Sequence, residues 1–131
     1  EPRVLAVLDW ELSTLGDPLA DLTYHLMQWV MPKSESGAGT ATLVGLDLDA
    51  LGIPRMASYV DAYVLRTGLD PRAHLNTYMA YNFFRLAAII QGIVGRVRDG
   101  TAASAHATQM IARIRPLSAA AFHYAQKAGL T

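Results

Sequence analysis

The sequence predicts a mainly α-helical fold, with four helices packed as a small bundle after one amino-terminal β-strand. Apolar residues recur every three or four positions over several long stretches, which is the pattern of a helix with one buried face. The dipeptides Asp17-Pro18 and Asp70-Pro71 are helix start signals, because Asp accepts from amides of the first turn and Pro suits the first helical position. Residues 4–8 (VLAVL) instead have the continuous apolar run of a buried strand.

The first half of the chain therefore reads as strand, loop and helix. Residues 9–16 form a polar loop after the strand, and the first helix starts at Asp17-Pro18 and continues to Pro32. Its apolar face consists of Leu19, Leu22, Leu26, Trp29 and Val30. Residues 33–42 are small and polar with two glycines, and they predict a mobile loop.

Three more helices are predicted in the second half. One runs from about residue 54 to Gly68, a glycine suited to a helix C-terminus. The third spans about residues 71–97 and is apolar nearly all round from 83 to 94, which favours a central position in the bundle. The fourth covers about residues 103–128, and Pro116 is expected to kink or divide it.

Composition restricts the class of protein. At 131 residues the chain fits one domain, and 52% hydrophobic with 17% charged residues predicts a soluble globular protein. Basic and acidic residues balance at 11 each, so neither nucleic acid nor a membrane is expected as a partner. The absence of cysteine excludes disulfides and thiolate metal sites, and it fits a cytoplasmic protein.

Asp9 is the principal candidate for chemistry. A carboxylate at the end of a buried strand, before an open loop and a capped helix, is well placed to hold Mg²⁺, which takes one or two carboxylates together with waters and phosphate oxygens. The competing interpretation is that Asp9 is a turn former or a helix cap, which is the commoner role of Asp at such a position.

Three segments resemble a known family. VLDWE at residues 7–11 and GDPLADL at residues 16–22 resemble the aminoglycoside phosphotransferase and choline-kinase-like family, whose fold is that of the protein kinases. FFRLAAIIQG at residues 83–92 is similar to the central helix of the branch associated with acyl-CoA dehydrogenases. The resemblance implies that residues 1–131 are the C-terminal helical subdomain of a kinase-like phosphotransferase, with the nucleotide lobe and the catalytic loop outside this chain.

The resemblance also implies roles for individual residues. Asp9 matches the aspartate that binds the Mg²⁺ bridging the nucleotide phosphates of ATP, or of GTP, and Glu11 matches a nearby acidic position that assists the metal. Asp21 matches an aspartate that braces the catalytic loop by accepting from its amides. Asp17 belongs to the same motif, but helix capping accounts for it fully.

The catalytic aspartate of the family is not among these residues. It belongs to a His-Gly-Asp-like segment before the metal aspartate, and this chain contains no His-x-Asp anywhere, so no catalytic residue is assigned within it and that aspartate is expected upstream. Two hypotheses remain open. The parent protein transfers phosphate from ATP to a hydroxyl of a small molecule, such as a hydroxyacyl compound or an aminoglycoside-like acceptor, or the chain is a non-catalytic helical interaction module or pseudokinase remnant.

Two further expectations concern surfaces. Sequence preceding Glu1 is expected to cover the first strand, and without it the exposed apolar surface favours a homo-oligomer. An aromatic cluster on the third helix (Tyr78, Tyr81, Phe83 and Phe84) either lines an acyl pocket or belongs to the core. Arg85 lies beside that cluster and needs a carboxylate or carbonyl partner if it is buried.

Overall fold

A computed structural model of the chain describes residues 3–10, 13–33, 42–101 and 107–130. Four α-helices follow in order, with a 3₁₀ turn after the first and a longer 3₁₀ segment before the last. Their bounds are α1 Pro18–Leu26, continued by Met27–Trp29; α2 Met56–Thr67; α3 Leu75–Arg98; and α4 Ile114–Lys127, preceded by Ala107–Arg113. The predicted mainly helical fold class is confirmed.

The predicted strand at residues 4–8 is not formed within the described ranges. Every residue from 3 to 10 is exposed, including Val4 at 85% and Leu8 at 80%. A strand needs a neighbour that accepts and donates its backbone hydrogen bonds, and the described part of the chain offers none. The apolar segment therefore has no strand to pair with among the described residues, and the prediction of a strand was wrong.

Local capping chemistry sets the ends of α1 and α2 as the sequence predicted. Asp17 is the N-cap of α1, where its Oδ1 accepts from the Leu19 amide at 2.9 Å, and Pro18 is the first helical residue. At the end of α2, Gly68 adopts a left-handed conformation with φ of 73°, and its amide donates to the Val64 carbonyl at 2.8 Å. Glycine enters this conformation without the steric cost of a Cβ atom.

The start of α3 differs from the prediction by one turn. Asp70 Oδ1 accepts from the Arg72 amide at 3.0 Å, and the His74 amide donates to the Pro71 carbonyl at 3.0 Å. These bonds close a separate turn over residues 71–74, so the helix begins at Leu75. The Asp-Pro signal was interpreted as the first turn of the helix, but Asp side chains form turns of this kind as readily.

Pro116 lies in the first turn of α4, as its third residue. The amides of a first turn have no partner within the helix, so proline is tolerated there. The predicted fourth helix is indeed divided, although the division falls at Arg113, where the 3₁₀ segment ends. The predicted start near residue 103 lies outside the described residues.

The hydrophobic core is centred on α3, which packs against both α1 and α4. Met79, Phe83 and Ile90 of α3 are fully buried, and the Phe83 ring stacks on Tyr124 of α4 at a centroid distance of 5.7 Å. The other buried apolar residues are Leu22, Leu26, Met27, Met31, Val60, Ala80, Ala87, Leu117 and Ala121. The predicted apolar face of α1 joins this cluster, and α2 contributes Met56, Tyr59, Val60, Tyr63 and Val64 to it. No helix in the described ranges has both the length and the apolar character needed to cross a bilayer.

Candidate functional site

Asp9 has an unusual backbone conformation. Its φ of 61° makes it the one non-glycine residue with a positive φ among the residues that the structure describes. Asp and Asn tolerate this left-handed region better than most side chains do, although it still costs free energy. Non-glycine residues in such conformations cluster at functional sites. Just after Asp9 the chain turns tightly, because the Ser13 amide and hydroxyl both donate to the Trp10 carbonyl, at 3.0 and 2.6 Å.

The turn creates an open cavity of about 560 Å³ lined by Leu8, Asp9, Trp10 and Ser13. Asp9 is exposed, and its carboxylate makes no hydrogen bond or ion pair within the described ranges. Those ranges hold no group of three His, Asp or Glu side chains able to bind a metal. Mg²⁺ commonly takes one or two protein carboxylates and fills its remaining positions with water and phosphate oxygens, so Asp9 fits the part of a single protein ligand. Glu11, the second predicted ligand, lies outside the described residues.

Asp17 connects the end of the Asp9 loop to the helices. Besides capping α1, its carboxylate accepts through Oδ2 from the hydroxyl of Tyr78, in the first turns of α3. The Tyr78 hydroxyl, and after it the Leu19 amide, hold the pKa of Asp17 below its usual value. The same bond raises the pKa of the Tyr78 hydroxyl, because losing that proton would place two negative charges together.

Asn82 forms a second polar contact between α1 and α3, one turn further along. Its side chain is fully buried, and its Nδ2 donates to the Ala20 carbonyl at 3.0 Å and to Thr23 Oγ1 at 2.9 Å. Its Oδ1 has no partner in the described part of the protein. Sequence reasoning missed this residue, although a single Asn inside an apolar helical stretch is a signal that a buried polar contact exists.

Arg85 and Asp21 lie on the exposed side of the same helix pair. The Arg85 guanidinium is 5.4 Å from the centroid of the Tyr24 ring of α1, so this exposed cation stacks on an aromatic face and needs no buried ion pair. Asp21 is exposed in the first turn of α1, and within the described residues its carboxylate has no hydrogen-bond partner. It is therefore available to accept hydrogen bonds from another segment.

The aromatic cluster predicted on α3 is divided between two environments. Phe83 is core, and Tyr78 is committed to Asp17. Tyr81 and Phe84 are 54% and 67% exposed, and they line an apolar groove of about 550 Å³ between α3 and α4. The groove also includes Thr77, Ala80, Ser118, Ala121, Phe122, Ala125 and Leu130. It shares no residue with the Asp9 cavity, so the structure does not bring the two together.

Comparison with known proteins supports the resemblance read from the motifs. Residues 1–59, which include Asp9 and Asp21, match the sequence model of the phosphotransferase enzyme family. Over 130 residues the chain is 43% identical to mouse acyl-CoA dehydrogenase family member 10, covering 97% of this chain and 12% of that protein. It is 35% identical to rat acyl-CoA dehydrogenase family member 11 over 119 residues, and 31% identical to the human member 11 over 121 residues.

Each of these two matches covers 90% of this chain and 15% of the relative. The chain thus spans about an eighth to a seventh of the length of the curated relatives it matches. No solved structure matches it significantly. The predicted likeness to the branch associated with acyl-CoA dehydrogenases is confirmed by these relatives.

Proposed function

We propose that the chain serves an ATP-dependent phosphotransferase acting on a hydroxyl of a small molecule, because residues 1–59 match the model of the phosphotransferase enzyme family. In this proposal, residues 1–131 form the C-terminal helical subdomain, and the nucleotide lobe and the catalytic aspartate come from upstream sequence. GTP is the alternative phosphate donor. The proposal includes the cytoplasm as the location.

One observation carries the proposal, which is the geometry of Asp9. Its carboxylate is exposed, unpaired within the described residues and held on a left-handed backbone at the mouth of a cavity. A structural turn former or helix cap would use its side-chain oxygens on nearby amides, as Asp17 does with Leu19. Within the described residues, which omit positions 11 and 12, Asp9 makes no bond of this kind, so no hydrogen bond described there supports the competing interpretation of this residue as a turn former or cap.

The residues of the chain have distinct tasks in this proposal. Asp9, which is exposed, would offer one oxygen ligand to Mg²⁺, and the exposed Asp21 would accept backbone amides of the catalytic loop. Mg²⁺ held there would supply positive charge to offset the charge that develops on the transferred phosphate. Asp17 and Tyr78 hold the first turn of α1 on α3. Glu11 is retained as an assisting acidic group near the metal.

The acceptor class is inferred from the names of the relatives. The mouse, rat and human relatives are named as acyl-CoA dehydrogenase family members. Their names favour a hydroxylated acyl compound over an aminoglycoside-like acceptor. The groove between α3 and α4 is also lined by aromatic and aliphatic side chains, but it shares no residue with the Asp9 cavity, so it carries no argument about the acceptor.

The experiment is turnover by the full-length protein with Asp9→Asn. Asn occupies the left-handed region as readily as Asp, so the backbone is retained while the negative charge is lost. We expect turnover to fall by roughly 100-fold or more, since positioning and charge stabilisation dominate phosphoryl transfer. Asp99→Asn is the matched control, because Asp99 is an exposed carboxylate at the far end of α3, paired with its neighbour Arg98.

The outcomes separate the two hypotheses. Loss of turnover in Asp9→Asn, with an unchanged unfolding midpoint and an active Asp99→Asn control, supports the phosphotransferase. A wild-type full-length protein without nucleotide-dependent phosphorylation of any hydroxylated acceptor would instead indicate a non-catalytic helical module. The 131-residue chain by itself is expected to show no turnover.

A further inference from the structure

The apolar groove between α3 and α4 leaves large hydrophobic side chains in contact with water. Phe84 and Phe122 are 67% and 57% exposed, and Leu130 is 61% exposed, whereas the lining residues Ala80 and Ala121 are buried. The groove therefore has a floor of small residues and protruding aromatic sides. Exposed apolar patches of this kind mark sites of interaction.

The charge on this half of the chain is predominantly of one sign. Residues 71–131 hold seven of the 11 basic residues and one of the 11 acidic residues, Asp99, so their formal charge is +6, and residues 1–70 carry the balancing −6. Neither α3 nor α4 contains an Asp or a Glu. The balanced composition of the whole chain is thus the sum of two halves of opposite charge.

Two of the cations lie beside the groove. Arg115 precedes the lining residue Ser118 by three positions. Arg85 follows the lining residue Tyr81 by four positions, and residues at these spacings share a helix face. Both guanidinium groups are exposed and form no ion pair within the described residues. A complementary occupant of the groove therefore combines an apolar face with negative charge.

An amphipathic helix with acidic flanks fits these features better than other occupants do. A second copy of the chain would bring like charges together, because a twofold interface places the same cationic face on both sides. A small molecule is normally enclosed by its pocket, whereas the aromatic sides of this groove are more than half exposed. A bilayer takes up apolar faces that project into it, and the buried alanines here form a recess. A helix can lay its apolar face into such a groove.

The size of the groove favours a helix from the same polypeptide. Nine described residues line it, against the roughly 20 to 30 residues a side of a standard interface between separate proteins, so binding from free solution would be weak. Tethering compensates for this by raising the effective concentration to about 1 mM. The chain spans about an eighth to a seventh of its curated relatives, and a polypeptide of their length offers helices beyond residues 1–131.

We propose that the groove between α3 and α4 is an intramolecular docking site, which holds an acidic amphipathic helix from the part of the full-length polypeptide outside residues 1–131. The apolar face of that helix packs on Phe84 and Phe122, and its Asp or Glu side chains pair with Arg85 and Arg115. The inference is independent of the phosphotransferase chemistry, because the groove shares no residue with the Asp9 cavity.

Zero-length cross-linking of the full-length protein tests the contact and identifies the helix. A carbodiimide joins a lysine amine to a carboxylate that pairs with it, so Arg115→Lys retains the charge and makes this position reactive. We expect a cross-link, within one polypeptide, between position 115 and an Asp or Glu outside residues 1–131. Arg96→Lys is the matched control, because Arg96 is an exposed cation of α3 about 18 Å along the helix from Phe84 and should not join the same segment.

Hydroxyl-radical footprinting of the full-length protein measures whether the groove is covered. At an effective concentration of about 1 mM, a dissociation constant of about 0.1 mM fills the groove about nine-tenths of the time. Phe122→Glu places a negative charge against the acidic helix and should therefore raise the rate of Phe84 modification about tenfold over the wild type. Ile89→Glu is the control, because Ile89 is a 48% exposed residue of α3 outside the groove, and it should leave that rate unchanged.

Several results would overturn the inference. These are a failure of Arg115→Lys to cross-link outside residues 1–131, cross-links that join two copies of the polypeptide, and an equal rate of Phe84 modification in the wild type and in Phe122→Glu. Binding of the wild type to vesicles of anionic phospholipid, abolished by Phe122→Glu, would assign the face to a membrane and overturn it as well. If Phe122→Glu does not fold, the cross-link from Arg115→Lys decides alone. Failure of the proposed function is separate, because none of these measurements depends on turnover.

Discussion

The buried amide of Asn82 provides a quantitative test of how α1 is held on α3. Replacing it by alanine removes two hydrogen bonds that reach across the interface, to the Ala20 carbonyl and to Thr23 Oγ1. Both acceptors keep another hydrogen-bond partner, because the Thr23 hydroxyl lies 2.8 Å from the Leu19 carbonyl and 3.1 Å from the Ala20 carbonyl. The substitution therefore leaves neither group stranded.

The expected cost follows from three contributions to the free energy of unfolding. The two lost hydrogen bonds cost about 1 kcal/mol each. The void left by the amide costs about 1 kcal/mol. Removal of the unpartnered Oδ1 stabilises the protein by about 1 kcal/mol, because a buried acceptor without a donor is itself destabilising. We therefore expect Asn82→Ala to destabilise the α1–α3 interface by about 2 kcal/mol.

Hydrogen exchange of the α1 amides in the full-length protein measures this quantity locally, as the free energy of opening that helix. Asn76→Ala is the control, because Asn76 lies on the same helix and its side chain makes no hydrogen bond in the described residues. This variant measures the stability that alanine adds through helix propensity alone. A difference between the two variants below about 0.5 kcal/mol, half of one typical hydrogen bond, would refute the reasoning.

Two other predictions concern the core and the acid range. Phe83→Ala, which empties a fully buried site stacked on α4, should lower the free energy of unfolding by about 3 to 5 kcal/mol in a urea titration, whereas the exposed Phe84→Ala should cost much less. A costly Phe84→Ala would contradict the assigned burial. Because bonds from Tyr78 and Leu19 lower the pKa of Asp17, its contribution to stability is complete above the unfolded-state pKa of about 3.9 and is lost as the pH falls through the lower folded-state value. Thermal melts from pH 6 to pH 2 should show a smaller acid-induced loss in Tyr78→Phe than in the wild type, and equal losses would contradict this assignment.

The helical part of the fold could be predicted because its signals are local. The cap at Asp17, the left-handed glycine at Gly68 and the apolar faces of α1 and α2 depend on residues within one or two turns of each other. The start of α3 was misplaced because Asp70 uses the same chemistry to close a turn as to cap a helix. The strand at residues 4–8 failed for a different reason, since pairing depends on a partner that the described residues do not include.

Contacts between helices could not be read from the sequence in the same way. The partners of Tyr78 and Asn82 lie about 60 positions away, and nothing local identifies them. Arg85 shows the same limitation. It would need an ion pair only if it were buried, and its burial depends on how α1 packs on α3. The register of α1 on α3 depends on such contacts, so it emerged only from the structure.

Asp9 itself was identified through motif resemblance, and its backbone conformation came as new information. Non-glycine residues seldom adopt a positive φ, and even the enrichment of Asp there is too weak to predict this conformation from residue type. Motif resemblance, a left-handed backbone and an exposed carboxylate thus coincide at Asp9. The assignments of Asp21 and Glu11 remain predictions.

In the proposed function, Asp9 binds the metal ion that accompanies the nucleotide. Titration of the full-length protein with Mn²⁺ in place of Mg²⁺, followed by electron paramagnetic resonance in the presence of a non-hydrolysable ATP analogue, tests it most directly. We predict that Asp9→Asn weakens Mn²⁺ binding by at least roughly 10-fold, while its unfolding midpoint and the Mn²⁺ affinity of the Asp99→Asn control stay at the wild-type values. Equal Mn²⁺ affinity in the wild type and in Asp9→Asn would contradict it.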